Sequence, residues 1–189
     1  DASGTCGPKA KWELKKGVLT ISGSGPMWDF EPGDVTSTAP WAYASASITY
    51  VVINGFDCVT SIGDYAFYYC SSLTTVPLLN TSNVTNFSSM FERCTSLATT
   101  PLFDTSSGTK MGSMFLSCSS LTTIPLFSTN KCETMGSMFN ACRNVQSGAL
   151  ALYNQASSKA NVPSHGLAFR NCGTNTTSGA AELAQIPSD

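Results

Sequence analysis

Apolar positions recur along the middle of the chain at one fixed interval. Phe67, Phe91, Phe115 and Phe139 lie 24 residues apart, as do Cys70, Cys94, Cys118 and Cys142. Leu73, Leu97, Leu121 and Val145 keep the same spacing. A period in the twenties marks a solenoid, in which each repeat is one coil laid on the last. Within each interval two apolar clusters alternate with polar residues. The first is Leu73, Val76 and Leu78, repeated as Leu97, Thr100 and Leu102 and as Leu121, Ile124 and Leu126. Period-two alternation predicts a short strand there, with Leu78, Leu102 and Leu126 facing the core. The second is Val84, Phe87, Met90, Phe91 and Cys94, with Gly108, Met111, Met114, Phe115 and Cys118 and then Cys132, Met135, Met138, Phe139 and Cys142 as equivalents. A Met-Phe pair with Cys three residues on shares one face of a helical turn. Each coil is therefore expected to be a strand, a loop, and a turn or two of helix packed behind the strand.

The flanks do not follow the period. Trp12-Glu13-Leu14 alternates, Lys16-Gly17 reads as a turn, and Val18, Leu19 and Ile21 lead to a Gly-Ser breaker: a β-hairpin. Residues 26–47 read as an irregular segment pinned by Trp28, Phe30, Trp41 and Tyr43, and Ile48–Ile53 as a strand. A solenoid exposes the ends of its core and needs atypical closing units, so residues 1–57 are expected to be an N-terminal cap and 58–145 the coils. Residues 146–189 read as a last irregular repeat and cap: a helix over GALALYNQAS, a further Phe-x-x-Cys phrase ending at Cys172, and a short helix over GAAELAQI. Cys172 follows Cys142 by 30 residues, so six have been inserted near Pro163. The three segments form one structural domain.

Composition narrows the function classes. Of 189 residues, 42 % are apolar and only 12 % charged, for a net charge of −2. Nucleic acid is not an expected partner, since that needs a concentrated basic face. Lys9, Lys11, Lys15 and Lys16 read as a solvated hairpin surface. No apolar run reaches the ~18 residues of a membrane-spanning helix. The expected location is extracellular or at the cell surface, a leader having been removed.

Candidate chemistry is sparse. Sulfurs stacked in a line cannot supply zinc's tetrahedron, and no Cys-x-x-Cys occurs, so the repeated cysteines are expected to be core thiols. A Cys6–Cys58 bridge remains open. His165, the one histidine, lacks an activated thiol, since Cys172 takes the inert column position. Asp29, Glu31 and Asp34 lack the spacing of a calcium loop. Asn80, Asn83, Asn86 and Asn175 open N-x-Ser/Thr sequons that read as polar loops. No catalytic residue, metal or cofactor is expected. Beside the strands, Thr75, Thr99 and Thr123 align, as do Pro77, Pro101 and Pro125, and then Leu79, Phe103 and Phe127. Alternation turns these away from the core, giving a candidate binding stripe of Thr75, Thr99 and Thr123 with Phe103 and Phe127 as apolar anchors. The competing reading folds the two rings under the loop.

The strand phrase matches the signature of leucine-rich repeats. CVTSIGDYAFYYCSSLTTV resembles the BspA-like leucine-rich repeats of bacterial surface proteins, and the MFxxC-SL-TTxPLF-DTS phrases resemble their shorter relatives. The opening GTCG…GVLTISGSGPM resembles the segment preceding such repeats, and the tail resembles a recurrent ending of similar proteins. The resemblance implies an α/β solenoid: a right-handed leucine-rich-repeat coil with parallel strands on one side, short helical turns on the other, a β-hairpin cap and a helical cap. It also implies a non-enzymatic, surface-displayed or secreted module that binds a protein or glycan. The alternative is a structural spacer with no ligand. An exposed Phe103–Phe127 patch favours the first; burial of both rings favours the second.

Overall fold

The computed structural model describes residues 1–33, 37–54 and 59–188. It opens with β1 (Ala2–Thr5), β2 (Ala10–Lys15), β3 (Val18–Gly23) and β4 (Gly25–Pro26), followed by a 3-10 helix at Ala42–Ser47, β5 (Tyr50–Ile53) and β6 (Val59–Ser61). One mixed sheet runs β1-β2-β3-β5, antiparallel except for the parallel β3–β5 pair; β4 and β6 form a separate parallel pair. The β2–β3 hairpin forms as its alternation predicts. Lys16 (φ 48°) and Gly17 (φ 80°) both take the positive φ that matches a two-residue loop to the strands' twist. The irregular segment packs around Trp41, whose ring meets Trp12 and Phe30 edge-on at 5.9 and 5.6 Å.

From residue 63 onward, 24-residue units lie one on another. Phe67, Phe91, Phe115 and Phe139 are buried and their rings stack nearly parallel, with centroids 5.4, 5.4 and 5.3 Å apart. Phe169 extends the stack at 6.0 Å. The backbone follows the same register. Phe91 and Arg93 donate their N–H groups to Met114 and Leu116 of the next unit at 2.9 and 2.8 Å, and Phe115 and Ser117 to Met138 and Asn140. On another side, Ala98 donates to Thr74, Thr122 to Ala98 and Gln146 to Thr122. One core runs from Cys6 through every unit to Cys172.

Two expected features of the units do not form. No strand occurs over 73–80, 97–104 or 121–128; parallel pairing is reduced to single bridges such as Thr123–Ser147. Pro77, Pro101 and Pro125 lack the N–H that a ladder requires. The Met-Phe-x-x-Cys phrase is a run of β-turns rather than helix, with Glu92 donating to Ser89 and Cys94 to Phe91. Two residues per unit are left-handed: Ser89 (φ 54°) and Arg93 (φ 62°), matched by Ser113 and Ser117 and by Ser137 and Ala141. That conformation costs roughly 1–2 kcal/mol for a residue bearing a Cβ. It turns alternate N–H groups along the stack into the next unit, and those bonds together with the burial of Met and Phe offset the cost.

The last unit is longer because part of it is helical. Residues 149–163 replace the arc that 125–133 spans one unit earlier, since Thr123 bridges Ser147 and Thr134 bridges Ser164. Helix α1 (Ala149–Ser157) advances only ~1.5 Å per residue. Nine helical and six extended residues cover about 33 Å, close to the roughly 30 Å of nine extended ones. Helix α2 (Thr177–Leu183) follows, its N–H of Gly179 accepted by the Thr176 hydroxyl. The carboxylate of Glu182 accepts N–H bonds from Gly148 and Leu150, tying α2 to the start of α1.

Candidate functional site

The columns expected to form a binding stripe are reordered by the structure. Phe103 is 2 % exposed and Phe127 fully buried, so neither ring is an exposed anchor. Phe103 stacks on Phe91 at 5.6 Å and on Phe127 at 6.3 Å, and Phe127 on Phe115 at 5.9 Å. Leu79 is buried in the same column. Leu78, Leu102 and Leu126, expected in the core, are instead 53, 59 and 52 % exposed. The proline is the physical reason. It ends strand pairing one residue before the leucine, so alternation no longer decides which side chain turns inward. The same exchange occurs at Leu78 and Leu79, where neither side chain is a ring, so the course of the backbone after the proline sets the inward side. At Phe103 and Phe127 stacking then adds ~0.5–1.5 kcal/mol per ring pair beyond area burial.

Thr75, Thr99 and Thr123 are exposed as expected, and none of their hydroxyls bonds to another described residue. They stand three residues before the exposed leucines, with half-buried Pro77, Pro101 and Pro125 between. The surface column is thus threonine, proline and leucine repeated in register, and a shallow cavity of about 420 Å³ opens between Leu78, Leu102 and Asp104. Its floor is held firmly. Buried Thr81 donates its hydroxyl to the Asp104 carbonyl at 2.8 Å, and Thr105 does the same to Ser128 at 2.9 Å. Asp104 accepts the Ser106 hydroxyl at 2.6 Å and its N–H at 3.0 Å, which holds its carboxyl below the usual range. At the last unit Gln155 replaces the missing carbonyl, accepting from Thr129, while Lys159 bonds the Thr129 and Cys132 carbonyls.

The sulfur column is a structural feature. Cys94, Cys118 and Cys142 each donate a thiol hydrogen bond to the phenylalanine carbonyl one unit back, at Phe67, Phe91 and Phe115. Burial pushes the thiols of Cys70, Cys94, Cys118 and Cys142 well up, and that of Cys172 to about 12, so none supplies a thiolate near neutrality. His165 engages the Pro163 carbonyl through Nδ1 at 2.9 Å and sets its ring edge-on to Tyr153. Among the described residues no group of three potential ligands could hold a metal ion. Asp64 is buried, one oxygen accepting from Asn86 at 2.6 Å, and its carboxyl is raised by burial and by nearby Asp29. Cys58 and Asp34 lie outside the described residues, and with them the Cys6–Cys58 bridge.

Two solved structures are similar. A leucine-rich repeat protein from Eubacterium ventriosum is 25 % identical with a TM-score of 0.34, over 59 % of this chain and 26 % of that one. A leucine rich cell surface protein from Faecalibacterium prausnitzii is 22 % identical with a TM-score of 0.42, over 77 % of this chain and 42 % of that one. The chain therefore spans less than half the length of either. No curated protein matches it. A family model described as "Mycoplasma protein of unknown function, DUF285" matches residues 63–171, which are the stacked units from first to last. Since that match takes in more than half of the chain, the protein belongs to this family.

Proposed function

We propose that the chain is a non-enzymatic binding module displayed at the cell surface or secreted, built as a leucine-rich-repeat solenoid. Residues 1–57 and 146–189 close the two ends of the 58–145 coils. The observation that carries the reading is the register of exposed leucines at 78, 102 and 126. Aliphatic side chains held in line on a braced surface, beside Thr75, Thr99 and Thr123 hydroxyls that bond to no other described residue, suit a protein ligand better than a glycan. Contiguous exposed apolar surface marks interaction sites in soluble proteins. The surface location rests on the sequence resemblance.

A second reading, a spacer without a ligand, is favoured by the burial of Phe103 and Phe127. The two part in a selection of displayed peptides against the folded protein. The binding reading expects enriched peptides whose affinity falls about tenfold or more in Leu102→Asp, as for loss of a central apolar contact, while the circular dichroism spectrum is retained. If no enriched peptide is sensitive to Leu78→Asp, Leu102→Asp or Leu126→Asp, the spacer reading stands.

A further inference from the structure

The exposed leucines recur with the rungs that carry them. Neighbouring rungs bond backbone to backbone, Ala98 to Thr74 and Thr122 to Ala98, which sets them ~4.8 Å apart on that side. On the turn side the stacked rings repeat at 5.3–5.4 Å. Leu78, Leu102 and Leu126 therefore recur about every 5 Å along the stack. That interval selects among partners. Apolar side chains on one face of a helix recur at the ~5.4 Å pitch, with Cβ atoms ~5–6 Å apart. On one face of a strand they recur every ~6.6–6.8 Å. Over the two rungs from Leu78 to Leu126, a helix laid along the column drifts by about 1 Å and a strand by about 3 Å. Charge narrows the partner further. Across 73–83, 97–107 and 121–130, Asp104 is the one charged residue. It is exposed, its carboxylate is held ionised by the two bonds from Ser106, and it lines the same cavity as Leu78, Leu79 and Leu102. The opposite flank, Thr75, Thr99 and Thr123, is neutral.

We infer that the leucine column seats an amphipathic helix of a partner protein, laid along the stack, with one apolar side chain per turn against Leu78, Leu102 and Leu126 and a lysine or arginine paired with Asp104. This rests on the binding reading above and names the form of its ligand. One apolar side chain of the helix enters the cavity between Leu78 and Leu102, where buried Leu79 forms part of the wall. Helix recognition of this kind uses anchors at i, i+3 or i+4, and i+7. Neither helix of the described residues supplies the pattern. Both α1 (ALALYNQAS) and α2 (TSGAAEL) lack a basic residue, and both are held in the last unit, joined through Glu182. The contact spans about three helical turns, which places it among the small, transient interfaces.

The test selects two displayed peptide libraries of equal size, mixed, against the folded protein. In one, a helical host rich in Lys, Gln and Glu carries apolar residues at i, i+4, i+7 and i+11. In the other, the same residue types place the apolar ones at every second position. Binders are scored when their affinity falls about tenfold or more in Leu102→Asp, with the circular dichroism spectrum of the variant retained. Such binders should come from the helical library in about tenfold excess. The tightest should shift the methyl NMR signals of Leu78, Leu102 and Leu126 together. Asp104→Asn should weaken it about two- to fivefold, as for an exposed ion pair, and exchanging the lysines of the peptide for glutamine should remove that sensitivity. Sensitive binders drawn equally or mainly from the alternating library, shifts at one leucine alone, or indifference to Asp104→Asn would each overturn the inference and leave the binding reading standing. No sensitive binder from either library would remove both.

Discussion

A buried thiol that donates to a carbonyl is a small hydrophobe with one directional bond, and the repeat uses it once per unit. Its chemistry shows in the dependence of stability on pH. Folded-state pKa values raised above the ordinary thiol value of about 8.5 mean that the folded protein holds protons the unfolded chain releases. The stability this contributes is whole below about pH 8.5 and is lost as pH climbs toward the folded values. The expected alkaline slope is about 1.4 kcal/mol per pH unit for each such thiol. Cys118→Ala should therefore give a shallower fall of unfolding free energy between about pH 9 and 10, by one thiol's worth; equal slopes would mean the sulfur is not buried protonated. At this scale the sequence was legible where spacing alone decided, as for Cys118 and Phe115. It misled at Leu102, because strand alternation does not survive the proline before it, whereas the burial of Phe103 is the competing reading, in which the ring folds under the loop.

One level up, the unit is a chain of β-turns rather than a strand and a helical turn. Nothing in the sequence announces this, since its left-handed positions carry Ser, Tyr, Arg, Ala, Leu or Asn and not the glycine that usually signals them. Fit between neighbouring units, by contrast, can be read from residue volumes. A Cβ on Gly108 would approach the Phe87 ring to 3.0 Å and the Met111 methyl to 2.8 Å. Its equivalents are Val84 and Cys132, and only here does the preceding unit hold a phenylalanine where the next ones hold Met111 and Met135. Gly108→Val should cost roughly 1–3 kcal/mol by overpacking. Phe87→Met should recover part of that, giving a coupling of about 1–2 kcal/mol in a double-mutant cycle by denaturant unfolding; additive effects would place the two residues out of contact.

Across the whole molecule, long-range order is a sum of neighbour contacts, so damage should stay local. Glu182 holds the start of α1, whose N-cap Gly148 has no side chain to offer. Glu182→Ala should cost about 1–2 kcal/mol, the usual worth of a cap with favourable helix charge. Exchange should quicken at Leu152 and through residues 164–170 but not at Phe67–Arg93. Uniform loosening would show one cooperative block instead. The interval, the hairpin and both C-terminal helices were legible at this scale, because period and propensity are local. The closures by Trp41, Gln155 and Lys159 were not, because each joins residues 25–30 positions apart in sequence with no repeating partner.

The lengthened arc of residues 149–163 has a practical corollary. Its six extra residues leave the Phe139–Phe169 stack and the bonds from Met135 to Ala141 in register. Closing a loop of 30 rather than 24 residues costs only about 0.2 kcal/mol. Alignment is thus governed by the turn segment, and the last arc has changed length without disturbing it. The protein is in this sense a scaffold with a built-in grafting position: at the exposed residues 160–162 a short insert can be spliced in without shifting the rungs, whereas at 104–107 and 128–131 the bonds from Thr81, Thr105 and Thr129 tie each arc to its neighbour.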